Sequence, residues 1–325
     1  YASVFEFDIS SLLESLSDPD SIDKVEMVLL AKAFPTQTFT APGGYVELDG
    51  LTFFLSDGPD GDALWVTDGT ITGTHKLSTK LTLGDAASYQ IVAAAEQVYF
   101  VANIDGHQEL WVSNGTVGGT VCISREMFGD ESKPNISHLT AFKNQVYFEA
   151  DEGSGPKLYR ALPTGGKTYI VEPLTGYSGD FDVEGMVGDD ETLFISQWYS
   201  TGTLDTYRLY KTHGSSNSLT YIEPISFNSV NGIKPFRDAT MMGGQVYFTG
   251  PHGTTPDIIG VLWSSDGTAE GTSRVEKTPS GQIPRAMATI DRGKLLTYVA
   301  SGNLYVTDGT GHGTKVVISD IFSNF

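Results

Sequence analysis

Residues 262–272 read LWSSDGTAEGT, and the phrase returns as LWVTDGTITGT at 64–74, LWVSNGTVGGT at 110–120 and LYVTDGTGHGT at 304–314. Two blurred copies, LYRALPTGGKT at 158–168 and LYKTHGSSNSLT at 209–220, stand between them. The leading leucines, Leu64, Leu110, Leu158, Leu209, Leu262 and Leu304, lie 46, 48, 51, 53 and 42 residues apart. That is the period of a propeller blade and longer than most solenoid repeats.

Upstream of each leucine a second phrase recurs: QVYF at 97–100, 145–148 and 245–248, loosened to LTFF at 51–54, TLFI at 192–195 and KLLTYV at 294–299. Alternating runs precede it, such as ISHLTAF at 136–142, and others follow the leucine, such as TKVVIS at 314–319. Each repeat thus holds four short runs rich in Val, Ile, Tyr, Phe and Thr, separated by Gly, Asp and Asn turns. The expected fold is all-β, a six-bladed β-propeller of four-stranded antiparallel blades. Ring closure would leave few free strand edges. The Leu-Trp pair is expected on the third strand of each blade, its two side chains facing opposite ways. In the Asp-Gly-Thr turn after it, Asp accepts backbone N–H groups and Gly takes a positive φ. The second Gly-Thr returns the chain to the sheet. The phrase is therefore a repeated structural corner rather than six copies of an active site.

Leu-Trp, Asp-Gly-Thr and Gly-Thr in register resemble the bacterial and archaeal surface-protein repeat written E-L-W-x-[ST]-D-G-T-x-x-G-T, with a V-x-D-I-x-P-G tail. The likeness runs over residues 45–325 and implies a β-propeller of secreted or cell-surface proteins; it implies no reaction. The turn is also similar to the Asp-box hairpins of sialidase-type propellers, but their spacing is missing, so no sialidase activity is carried over. Residues 1–44 depart from the pattern. They hold one strand-like run, SVFEFDI at 3–9, and a mixed stretch at 11–34. The expectation is an N-terminal extension packed on a propeller of residues 45–325. A degenerate seventh blade is the alternative.

Acidic residues outnumber basic ones 40 to 20, for a formal charge of −20. Such a charge repels phosphate backbones and anionic lipid, which argues against nucleic acid and membrane insertion and favours cations and basic proteins. No apolar run reaches the ~18 residues of a membrane helix. The single cysteine, Cys122 in VCIS, excludes an internal disulfide and reads as a small strand residue. Asn114 and Asn135 head glycosylation sequons.

A binding surface is expected on the face where blade-to-blade crossovers and second-to-third-strand loops emerge, opposite the Asp-Gly-Thr corners. The longest of these segments, 172–184, 196–207, 223–238 and 250–260, cluster in the fourth and fifth repeats. They carry Tyr177, Asp180, Phe181, Asp182, Trp198, Tyr199, Phe236, Arg237 and His252. Rings beside carboxylates suit sugar or protein recognition. Asp57, Asp60 and Asp62 in SDGPDGDALW offer hard oxygen ligands at a spacing that suits Ca²⁺, although ordinary Asp-Gly turn chemistry explains them equally. The six histidines form no H-x-H or H-x-x-x-H pair, and there is no G-x-S-x-G or phosphate loop.

Three functions follow from these features. The first is a non-catalytic secreted or cell-surface propeller that binds glycan or protein. The second is a Ca²⁺-dependent hydrolase or lactonase, recruiting Asn135, Asp180, Asp182, Glu184, Asn231 and Asp238 around a central channel. The third is a structural subunit of an extracellular assembly.

Overall fold

The computed structural model describes residues 40–58, 61–78, 81, 90–104, 107–128, 134–151, 153–161, 167–169, 182–200, 205–214, 219–229, 236, 238–251, 260–275, 284–300 and 302–319. The expected N-terminal extension lies outside the described residues as far as residue 39.

Almost all the described secondary structure is β, in six four-stranded antiparallel sheets whose strands neighbour one another in chain order. Sheet one holds β1 (Thr40–Leu48), β2 (Leu51–Gly58), β3 (Gly61–Thr67) and β4 (His75–Lys76). Sheet two holds β5 (Ile91–Ala94), β6 (Gln97–Ile104), β7 (His107–Ser113) and β8 (Val121–Cys122), followed by one helical turn, α1 (Ser124–Phe128). Sheet three holds β9 (Asn135–Phe142), β10 (Gln145–Asp151), β11 (Pro156–Ala161) and β12 (Lys167–Tyr169). Sheet four holds β13 (Asp182–Gly188), β14 (Leu193–Ser200), β15 (Asp205–Thr212) and β16 (Thr220–Ser229). Sheet five holds β17 (Thr240–Met242), β18 (Gln245–Pro251), β19 (Gly260–Ser265) and β20 (Ser273–Arg274). Sheet six holds β21 (Arg285–Ile290), β22 (Leu295–Ala300), β23 (Asn303–Thr307) and β24 (Lys315–Ile318). The first sheet is described from Thr40, which pairs with Asp57 near the end of β2.

The first strands touch in succession: β1 with β5, β5 with β9, β9 with β13, β13 with β17 and β17 with β21. The two recurring phrases explain this stacking. In QVYF of sheet two, Val98 and Phe100 enter a core shared with sheet one, while Tyr99 enters the core shared with sheet three. The Leu-Trp pair does the reverse: Leu110 faces sheet three and Trp111 faces sheet one. Alternation along a strand thus buries both faces of the sheets that have a described neighbour on either side. Five such shared cores join consecutive sheets from one through six. Each fully buried Leu or Phe contributes about 2–3 kcal/mol of transfer free energy.

The repeated corner is the same hydrogen-bonded object in sheets one, two, five and six. In sheet five, Asp266 Oδ1 accepts from Thr268 N–H at 2.8 Å and from Thr268 Oγ1 at 2.7 Å. Ser265 Oγ accepts Gly267 N–H at 3.0 Å and bonds Thr272 Oγ1 at 2.6 Å, clasping the two ends. Gly267 has φ +85°, and its counterparts Gly69, Gly115 and Gly309 have +85°, +84° and +90°. The second glycine has a separate reason. A Cβ on Gly73, Gly119, Gly271 or Gly313 would overlap the side chain of Asp68, Asn114, Asp266 or Asp308. Hydrogen bonds from the neighbouring Thr hydroxyls, then Thr N–H groups, hold the Asp68, Asp266 and Asp308 carboxyls below their ordinary value.

Aromatic rings reach from one sheet under the corner of the next. Phe53 of sheet one lies against Gly115, Tyr147 of sheet three against Gly214, and Tyr247 of sheet five against Gly309. In sheet four, where His213 replaces the Asp, the corner is held from outside instead. Lys143 Nζ donates to His213 O at 3.2 Å, and Arg160 Nη1 and Tyr147 OH donate to Gly214 O. The blurring at 209–220 is thus compensated by cations from sheet three.

In sheets one, two, three and five the turns between first and second strands are two residues long and put both in the left-handed region, as such hairpins require. Gly243 and Gly244 do so freely, whereas Ala95 and Glu96 adopt φ +49° and +58°. Replacing Ala95-Glu96 by Asn-Gly is expected to stabilise the chain by about 1 kcal/mol, read as a raised midpoint in urea unfolding.

Candidate functional site

The six sheets serve as internal controls for one another. The residue paired with the repeated leucine is Leu55, Val101, Glu149, Ser196, Thr249 or Val299 in sheets one to six. Five of these are apolar or hydroxyl side chains, as a site wedged between sheets demands. Glu149 is a carboxylate whose side chain is only 14% exposed. Nothing in the architecture calls for it.

Its surroundings are polar and specific. Ser137 Oγ donates to Glu149 Oε1 at 2.9 Å, and the N–H of Val183, across the boundary in sheet four, donates to Oε2 at 2.5 Å. His138 Nδ1 stands 3.1 Å from Ser137 Oγ and 3.9 Å from Glu149 Oε2. When Glu149 is ionised and accepts from Ser137 Oγ, a hydrogen on His138 Nδ1 completes a line of donors from imidazole to hydroxyl to carboxylate. Burial pushes the Glu149 carboxyl up to about 7, helped by the charges of Asp182 and Asp151 and opposed by the bonds from Val183 and Ser137. A carboxyl poised near neutrality can accept or release a proton under ordinary conditions.

The backbone delivers these groups by a bulge. Between Tyr147 and Glu149 the register with β9 shifts, leaving an extra residue at His138–Leu139, and His138 has φ +56°. Gly44 and Ala286, at matching positions in sheets one and six, have φ +58° and +51°. The bulge thus recurs in sheets one, three and six, and only sheet three places an imidazole on it. From sheet two, Gln90 Oε1 accepts Leu139 N–H at 2.8 Å and steadies the bulge.

The expected binding residues fall unevenly around this cluster. Asp182 starts β13 half-buried, near enough to act on Glu149, and pairs in register with Trp198. Trp198 and Tyr199 belong to β14 rather than to a loop, because β14 runs to Ser200 and β15 resumes at Asp205. Trp198 packs partly on the core shared by sheets four and five; the Tyr199 side chain is not among those described. Phe236 corrects the expectation of an exposed ring: it is 6% exposed and packs at 5.3 Å from Phe248, where it fills the same core. The supposed loop at 223–238 is strand as far as Ser229. Tyr177, Asp180, Phe181, Arg237 and His252 lie outside the described residues or have no described side chain.

Of the aspartate trio, Asp62 is half-buried on β3, Asp57 is on β2 with its side chain not described, and Asp60 lies outside the described residues. Among the described residues no group of three or more His, Cys, Asp or Glu side chains is placed to hold a metal ion. Asn114 is exposed and does the work of the corner Asp, accepting from Thr116 N–H at 3.1 Å; Asn135 is exposed at the start of β9.

Sequence reasoning missed Ser137, His138 and Glu149. The signal was present in the residue after QVYF, which reads Val101, Glu149 and Thr249 in the three clean copies. At the opposite end of the same sheets, a cavity of about 590 Å³ opens between the first-to-second-strand turns of sheets two, three and four, beside Lys143, Asn144, Asp189 and Asp190.

No family model matches the chain, and no curated protein matches its sequence. Solved structures do share its shape. A prolyl endopeptidase is 13% identical over 95% of this chain and 46% of its own, with a TM-score of 0.51. An oligogalacturonate lyase in complex with manganese is 14% identical over 85% of this chain and 73% of its own, TM-score 0.49. The extracellular domain of a hybrid two-component system, BT4673, from B. thetaiotaomicron is 13% identical over 88% of this chain and 35% of its own, TM-score 0.49. The chain therefore spans less than half of the endopeptidase. At such identities the likeness is one of fold, to proteins of β-propeller type. No helix among the described residues is long and apolar enough to cross a membrane.

Proposed function

We propose that the six sheets are blades of a propeller and that the chain is a non-catalytic extracellular binding module. Its glycan or protein ligand would sit at the crossover end of sheets three and four, over Glu149, Ser137, His138 and Asp182. One observation carries this reading: a carboxylate with a hydroxyl and an imidazole in line occupies a position that the other five sheets fill with Leu, Val, Ser or Thr. The hydroxyls of a sugar or the polar groups of a protein loop match such a mixed donor and acceptor set. Placement outside the cell is taken from the resemblance of the repeated corner to surface-protein repeats. The acidic balance of 40 to 20 favours neutral or basic ligands.

The test is a glycan array and a protein-binding screen with the intact chain, followed by titration of any ligand found. His138→Ala and Glu149→Gln are each expected to weaken that ligand tenfold or more. Unchanged affinity in both variants would remove the site from this end of the molecule.

A further inference from the structure

At the end of the sheets opposite Glu149, the cavity of about 590 Å³ has the size of a small-molecule pocket. It lies where the first strands β5, β9 and β13, in contact one after another, come to their ends. Small side chains open it. The next-to-last residue of the first strand is Ala93 in sheet two and Ala141 in sheet three. Its counterparts in the other sheets are Glu47, Val187, Met241 and Thr289. The two alanines thus leave room where the other sheets place longer side chains, and both line the cavity.

Sheet four supplies much of the polar wall. Its turn between first and second strands runs over residues 189–192, two residues longer than those of sheets one, two, three and five. Asp189 Oδ1 accepts the N–H groups of Glu191 at 2.8 Å and of Thr192 at 2.9 Å, which fixes the turn. Asp190, exposed on that turn, borders the cavity, as does Asn144 from sheet three.

The groups already engaged limit what can enter. Lys143 is committed to its own surroundings: Nζ donates to His213 O at 3.2 Å, lies 3.9 Å from Glu191 Oε2 and sits 5.4 Å from the centroid of the Phe142 ring. Among the described residues no hydrogen bond or ion pair engages the Asp190 carboxylate or the Asn144 amide. A full negative charge and an amide oxygen therefore stand free beside a floor of methyl groups. An ammonium on an aliphatic stem matches both parts, its hydrogens going to the oxygens and its stem to the methyls. An anionic ligand would meet the charges of Asp189 and Asp190. The Phe142 ring is 3% exposed and offers no face on which a sugar or base could stack.

We propose that this cavity binds an alkylammonium group, carried by a free polyamine or by a lysine side chain of a partner protein. Asp190 and Asn144 are its acceptors, and Ala93 and Ala141 lie along its stem. The site is separate from the one at Glu149 and does not depend on it.

The test is calorimetric titration of the intact chain with spermidine and, separately, with a trilysine peptide blocked at both ends. Salt at about 0.15 M screens the general field of the −20 chain. Saturable binding of at least one probe is expected; spermidine alone marks a free amine as the ligand, the peptide alone a protein lysine, and both the shared group. Asp190→Asn should weaken the bound probe at least tenfold, and Ala141→Leu, which fills the floor, should do the same. Asp291→Asn removes an equal charge from the exposed turn of sheet six and should leave the affinity unchanged. Saturation by neither probe, or equal losses in Asp190→Asn and Asp291→Asn, would overturn the proposal.

Discussion

Between pH 5 and pH 8 the folded chain should lose on the order of 3 kcal/mol of stability through one side chain, and Glu149→Gln should abolish that loss. The Glu149 carboxyl has a folded value of about 7 against an ordinary 4.5, so the native state holds its proton more tightly than the unfolded chain. Below 4.5 both states are protonated and the group contributes no slope. From there to about 7 folding takes up a proton, so stability falls as pH rises. Above 7 both states are ionised and the whole cost of a buried charge remains. The glutamine side chain of the variant would keep an oxygen for the Val183 N–H while carrying no charge. That variant should therefore be the more stable protein at pH 8 and nearly equal at pH 4. Ser137→Ala should enlarge the parent's loss and carry it to higher pH, because the lost hydroxyl bond had favoured the ionised form. Urea unfolding at closely spaced pH values reads all three proteins. Parallel curves for parent and Glu149→Gln would dismiss the perturbed carboxyl. The corner aspartates act at the acid end instead: their lowered values give stability that is lost only as pH falls below about 3.8.

The second large effect concerns the corner itself. Gly271→Ala should destabilise the chain by about 2–3 kcal/mol. The new methyl and the Asp266 carboxylate cannot share one place, so the two bonds to Thr268 must break. In Asp266→Ala those bonds are already gone and the space is open. Adding Gly271→Ala to that variant should therefore cost little, well under the sum of the single changes. A double-mutant cycle in urea decides the matter. Additive losses would mean that the second glycine serves backbone freedom alone.

Much of the fold can be read from the repeats. The alternation in QVYF and the reversal in Leu-Trp follow from strand geometry, and consecutive sheets are of one kind, so one pattern predicts the five shared cores. Segment edges were harder to read. Trp198 and Phe227 look like loop residues because Ser, Thr and Gly surround them, yet pairing between β14, β15 and β16 holds them in strand. Phe236 looks like an exposed ring because its neighbours in sequence are polar, and only the stacking of sheet four on sheet five shows where it goes. Glu149 escaped notice for another reason. A single charged residue inside an apolar phrase carries no periodic signal; its meaning lies in which positions of other repeats it corresponds to, and in the three residues that converge on it from two sheets.

Every sheet here is drawn from one uninterrupted stretch of chain, and every shared core joins stretches that follow directly. A nascent polypeptide leaving the ribosome can therefore assemble in the order in which it is made. Each emerging unit needs a partner already present or one about to appear, and apolar surface stays bare for only about the time taken to add one more unit. The same arrangement lets whole units be gained or lost by genetic duplication without rethreading the rest.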